Sequence, residues 1–261
     1  MNKYFRKKVD RLKKIEIKKR IFLTKESVYF LLLKLIDTKY IPELNTKLIK
    51  SFQSDSSFLS KLILSSADED MAVIFADRIC KGEFSVYSLD PKLFVNNLNW
   101  HKDYYSGYVW PLTSFHNIHD RNDSGVDLNV PFELSRFQFV PVLIQAYNKT
   151  RDMKYINKIV DLIEDWNKNN PYGYGINWWS CMEVGIRAVN LFIAIVYIYD
   201  RINTETFNNI LKVLWKHASY IYRYDIELGT TLNKNNHFLG ALLGLLASSV
   251  CFKDDKANMY V

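Results

Sequence analysis

The stretch from Asn177 to Asn190, N-W-W-S-C-M-E-V-G-I-R-A-V-N, constrains this chain more than any other. Read as a helix, it sets Glu183, Arg187 and Asn190 at i, i+4 and i+7, which share one face. Met182, Val184, Ile186, Ala188, Val189, Leu191, Phe192 and Ile193 surround them, so much of the helix must be buried. A carboxylate, a guanidinium and an amide in such a place each need a partner. One reading is an internal Glu183–Arg187 ion pair that ties helices together. The other is one wall of a polar cleft, with Asn177, Trp178 and Trp179 at its lip.

The rest of the chain reads as helix after helix. Apolar residues recur with helical spacing in Glu26–Thr38, Ser56–Ser65, Asp68–Lys81, Pro131–Lys149, Lys154–Lys168, Met182–Arg201, Thr204–Tyr224 and Asn236–Cys251. Gly82 suits a C-cap, and Pro131 suits a first helical turn. Phe84–Leu89 reads as a short strand or an extended arm. A loop follows that is dense in aromatic and polar groups, from Trp100 to Trp110-Pro111, and long loops in compact domains tend to be functional. Short connections make neighbouring helices antiparallel hairpins, and a succession of these builds a solenoid or a closed toroid. Only 9 Gly and 6 Pro in 261 residues also favour helices over a turn-rich β fold. The expected class is mainly all-α.

Charge narrows the partners. The net charge is +7, but the first twenty residues hold ten Lys and Arg against Asp10 and Glu16, so the remaining 241 sum to −1. A nucleic-acid binder carries its basic charge on a folded surface, which argues against that class. The expected division is a basic segment over 1–24 and a single helical domain over 25–261. The basic segment suits weak contact with an anionic membrane surface as well as it suits a solvated, frayed first helix. No apolar core with a small-residue cleavage site follows it, so no signal peptide is read and the chain as given is expected in the cytoplasm. Tyr29–Ile36 is too short to span a bilayer. Cys80, Cys181 and Cys251 are far apart and odd in number, which fits free thiols. His116 and His119 stand at i, i+3 without a completing ligand, and no Gly-rich phosphate loop is present, so neither metal nor cofactor is expected.

Four blocks of residues carry a resemblance. They are Asn99–Asp103 (N-W-H-K-D) followed by Trp110-Pro111; Asp127–Arg136 (D-L-N-V-P-F-E-L-S-R); Trp166, Asn170-Pro171 and the stretch from Asn177; and Asn235-Asn236-His237-Phe238. In this order and spacing, the segment from about Trp100 to Leu246 resembles the N-terminal helical domain of the heparinase II/III superfamily of polysaccharide lyases. Phe132 stands where that family usually has Trp. The resemblance implies an incomplete (α/α) toroid built from antiparallel hairpins, followed in the full family by a β-sandwich. It also implies β-elimination of uronic-acid polysaccharides, with Asn236 and His237 matching the pair that neutralises or orients the uronate carboxylate. The family's proton-transferring Tyr lies further along, and this sequence ends at Val261, so it reads as a fragment or truncated member with little turnover of its own.

Those residue types suit that chemistry. Removing the C5 proton of a uronate builds negative charge on its carboxylate, and preorganised donors beside it lower the barrier. An Asn amide offers two donors without burying a charge, and His donates from either nitrogen. Asn236 also fits an ordinary N-cap. Trp100, His101, Trp110, Trp178, Glu183 and Arg187 are the expected substrate-binding residues, lining one concave surface with the catalytic pair. Two other readings stand beside this one. One is a toroidal glycoside hydrolase using Asp127, Glu133 and Glu183. The other is a non-catalytic glycan-binding fragment.

Overall fold

The chain divides into two compact units, Met1–Ile41 and Pro42–Val261. The computed structural model describes residues 44–54, 69–119, 125–227 and 236–252, all in the second unit. The basic segment and the expected helices Glu26–Thr38 and Ser56–Ser65 lie outside the described residues, as does Asn235.

Eight α-helices carry the described fold: α1 (Thr46–Ser54), α2 (Glu69–Cys80), α3 (Asn129–Ser135), α4 (Phe139–Thr150), α5 (Lys154–Asn169), α6 (Cys181–Ile198), α7 (Thr204–Ile221) and α8 (Asn236–Cys251). Isolated bridges such as Lys102 with Val109 are the sole β pairing among the described residues, so the mainly α expectation holds. The Phe84–Leu89 arm has no strand partner among the described residues, and Gly82 (φ 86°) ends α2 as expected, with the Glu83 amide donating back to Arg78 O.

Helices α2, α4, α6 and α8 pack each on the next, while α5 and α7 pack on each other and across to that row. Helix α5 follows α4, and α7 follows α6, after only a few residues, as in antiparallel hairpins. Every second helix therefore falls in the same layer. Helix α1 closes against α6, where Gln53 Nε2 donates to Val196 O and Phe52 meets Phe192 edge-on.

Helices α6 and α8 approach more closely than side chains normally allow. A Cβ on Gly240 would sit 2.8 Å from Met182 Cγ, and one on Gly244 would meet the backbone of Gly185. The contacts advance in the same direction along both helices, so α6 and α8 run parallel and begin at the same end of the assembly. By length and composition α6 could cross a membrane, but here it is the core helix, 72% buried.

One expected helix is two. The run from Pro131 to Lys149 breaks at Phe137, which takes a left-handed φ of 61°. Pro141 explains the break. It has no N–H to give, and its ring would strike the carbonyl four residues earlier, which belongs to Phe137. The break sends the fully buried Phe137 ring against Trp100, Phe139 and Trp166, and it frees Arg136 to reach across to α6. At the far end of α7 the chain widens into a π turn, Tyr222–Glu227.

Candidate functional site

The motif loops meet where α6 begins. Asn177 joins two of them: its amide nitrogen donates to Trp100 O and to Asn170 Oδ1, both at 2.9 Å. Asn170 in turn donates to Trp166 O at 2.8 Å, and its carbonyl accepts from the Trp178 indole at 3.3 Å. The Trp100 indole donates to Asp165 Oδ2 at 2.7 Å. His101 Nε2 lies 3.0 Å from Asn169 O, so that nitrogen carries the proton. Gly175 (φ 82°) sits against the same imidazole, where a Cβ would be 2.9 Å from Nδ1. Burial holds the His101 pKa below its ordinary value, against the opposing bond to Asn169.

Asp103 closes the loop in a different way. Its buried carboxylate accepts from the amides of Tyr105, Ser106 and Asp127 and from the Ser106 hydroxyl. Burial alone would raise its pKa, but these hydrogen bonds to the charged form outweigh it and leave the carboxyl below its ordinary range.

Glu183 and Arg187 do not pair with each other. Arg136 takes Glu183 with two N–H groups, Nε to Oε2 at 2.7 Å and Nη2 to Oε1 at 2.8 Å, and also holds Glu133. That fork matches a carboxylate better than a neighbour on the same helix can. The hydrogen bond to Glu183 is the main reason the Arg136 pKa is raised. Arg187 instead points inward and is fully buried. Its Nε donates to His217 Nε2 at 2.7 Å, its Nη2 to Asn177 O at 2.8 Å and its Nη1 to Ser135 O at 3.3 Å. The guanidinium lies 4.3 Å from the Trp166 ring centre and 5.8 Å from that of Trp178. Burial pushes its pKa down to about 9, which still leaves a cation at neutral pH.

His217 completes this arrangement. It accepts from Arg187, so its proton must be on Nδ1, which lies 2.7 Å from Val213 O. Burial, and then the Arg187 charge, hold its pKa well below the ordinary value, so the ring is neutral. The sequence reading missed it. The available signal was its position three residues after Leu214 and four before Ile221, on the apolar face of α7.

Six of the eight expected site residues are therefore inside the molecule. Trp100, His101, Trp178 and Arg187 belong to one connected network, Glu183 (2% exposed) is held by Arg136, and Trp110 sits in a separate apolar cluster with Ile118, Phe132 and Ile176. They do not line an open surface, because their side chains are enclosed between loops and helices, and even the Trp110 indole N–H and His101 Nδ1, which have no hydrogen-bond partner among the described residues, are buried. Asn236 and His237 differ. Both are exposed, in the first turn of α8. The Gly240–Met182 contact, one turn further on, brings this end of α8 beside the start of α6.

The three carboxylates of the hydrolase reading are committed elsewhere. Glu133 and Glu183 share one guanidinium, and Asp127 accepts from the backbone and side chain of Asn129 at 2.7 and 2.8 Å. Neither partner of an acid–base pair stands free.

Comparison with known proteins agrees with this architecture. The family model described as the heparinase II/III N-terminus matches residues 38–254. No curated protein and no solved structure matches the chain significantly. With the match covering most of its length and the helical hairpins in place, the chain belongs to the heparinase II/III family through its N-terminal α/α toroid domain.

Proposed function

We propose that this domain binds uronic-acid-containing glycans and serves β-elimination, with Asn236 and His237 meeting the uronate carboxylate. The observation that supports the reading is their exposure: the two family-matched polar residues are exposed, while the other expected site residues are buried. The start of a helix adds partial positive charge, which favours a carboxylate there. An amide and an imidazole held at that point stabilise the dianionic character that builds as the C5 proton leaves.

Asn177, Trp178 and Arg187 fix the start of α6, and the close Gly185–Gly240 contact transmits that position to α8. Tyr220 adds a hydroxyl donated to Trp178 O. The preference is for weakly charged uronates, since the body of the chain is near neutral and a heavily sulfated polymer would select a basic groove.

The test is incubation with alginate, polygalacturonate, hyaluronan and unsulfated heparosan while ultraviolet absorbance of the new C4–C5 double bond is followed. Elimination supports the full reading. Binding without absorbance supports the glycan-binding part alone. Hydrolysis to saturated ends would replace it with the hydrolase reading.

A further inference from the structure

Of the six Trp residues, Trp179 is the most exposed, at 37%, beside a Trp178 that is 1% exposed. It does not hang free. Its indole N–H donates to Ile118 O at 3.2 Å, and its ring lies within 21° of the Phe132 ring plane, centres 6.4 Å apart. Ile118 and Phe132 both belong to the apolar cluster built on Trp110 and Ile176. A large, flat, partly exposed surface is thus held rigid by the core beneath it. Its one polar atom is already spent on a carbonyl, so what remains to offer a ligand is apolar contact by the ring.

Position adds the second constraint. Trp179 precedes Met182 by three residues, and Asn236 precedes Gly240 by four. Met182 and Gly240 touch, and α6 and α8 run parallel, so the indole and the Asn236–His237 pair stand at the same end of adjacent helices. The near-neutral body offers little attraction for the phosphates of a nucleic acid, which leaves the apolar C–H face of a sugar ring as the fitting flat partner.

We propose that Trp179, braced by Phe132 and Ile118, is a stacking platform for a sugar next to the uronate held at Asn236 and His237. This rests on the glycan reading above, and it assigns the two places different work. The platform supplies affinity that is blind to charge. The Asn-His pair supplies the preference for a carboxylate. A preordered aromatic loses little conformational freedom on binding, which makes the division efficient.

The experiment is calorimetric titration of the full chain and its Trp179→Ala and Trp179→Phe variants. The probes are hexasaccharides of hyaluronan, alginate and polygalacturonate, each native and with its carboxyls reduced to alcohols. Trp179→Ala should weaken binding of the native and reduced forms of the bound probe alike, by about tenfold. Trp179→Phe should keep binding within about threefold of the parent, because a ring is restored. The parent's preference for native over reduced sugar should persist in both. Thermal melts near the parent's would confirm that the fold is retained. Unchanged affinity in Trp179→Ala, or loss of the native-over-reduced preference instead of overall affinity, would overturn the platform while leaving the uronate site intact. A parent chain that binds none of the probes would overturn both.

Discussion

Helices α6 and α8 begin side by side, yet they treat their polar residues in opposite ways. At the start of α6, Glu183 and Arg187 are buried and fully engaged, one by Arg136 and the other by His217 and two carbonyls. At the start of α8, Asn236 and His237 are exposed. A family motif does not separate these two kinds of residue. A motif match reads the same whether the fold needs the residue or, as proposed for Asn236 and His237, a ligand does. Burial separates them, and the consequences of substitution should separate them too.

The largest expected effect is on the buried side. Arg136→Ala strands the Glu183 carboxylate in the protein, and breaking such a pair costs roughly 3–5 kcal/mol. Denaturant unfolding should show it. A variant as stable as the parent would mean that Glu183 reaches water, and the contrast between the two helix starts would collapse.

Gly185→Ala should come next. A methyl there meets the backbone of Gly240 and Ala241, which cannot move aside as a flexible side chain can. Overpacking of this kind costs about 1–3 kcal/mol, and it should also weaken glycan binding because it displaces the start of α8. Loss of stability with binding untouched would show that the α6–α8 contact does not position Asn236.

Acid should weaken the buried wall gradually. His101 and His217 have depressed pKa values in the fold, so the unfolded chain takes up protons that the native state refuses. Their stabilising contribution is complete above the unfolded value of about 6.5 and is lost as pH falls below it, at about 1.4 kcal/mol per pH unit for each proton taken up. Asp103, also depressed, contributes above about pH 3.9 and loses that contribution as pH falls further through its folded value. Unfolding free energies measured from pH 8 to 4 should fall first through the histidine window. In His217→Phe that first fall should shrink, and an unchanged profile would show that His217 takes up its proton as readily in the fold as in the unfolded chain.

Much of this was legible in the sequence. Helical spacing places α2 and the helices from α5 to α8 to within three residues at each end, and the Asn236–His237 pair stands out by resemblance. What was not legible depends on who meets whom. An i, i+4 spacing offers Glu183 a partner in Arg187, but it cannot reveal that Pro141 breaks the preceding helix and delivers Arg136 instead. Two adjacent Trp residues look equivalent in a string, while the 3-10 turn Ile176–Trp178 buries one and leaves the next outside. His217 looked unremarkable until the buried guanidinium of Arg187 required a neutral acceptor beside it.

The smallest expected effect on stability belongs to Asn236, and it is also the most decisive for function. Asn236 is exposed in the first turn of α8, where the helix dipole favours an acidic side chain, so Asn236→Asp should leave the melting behaviour nearly unchanged, within about 0.5 kcal/mol. It removes both amide donors, however, and places a negative charge where the uronate carboxylate is proposed to sit. The measurement is the ratio of affinities for a native uronate hexasaccharide and its carboxyl-reduced form, in the parent and in Asn236→Asp. The parent should favour the native form, and the variant should lose or reverse that preference. An equal ratio in both proteins would contradict a carboxylate site at the start of α8.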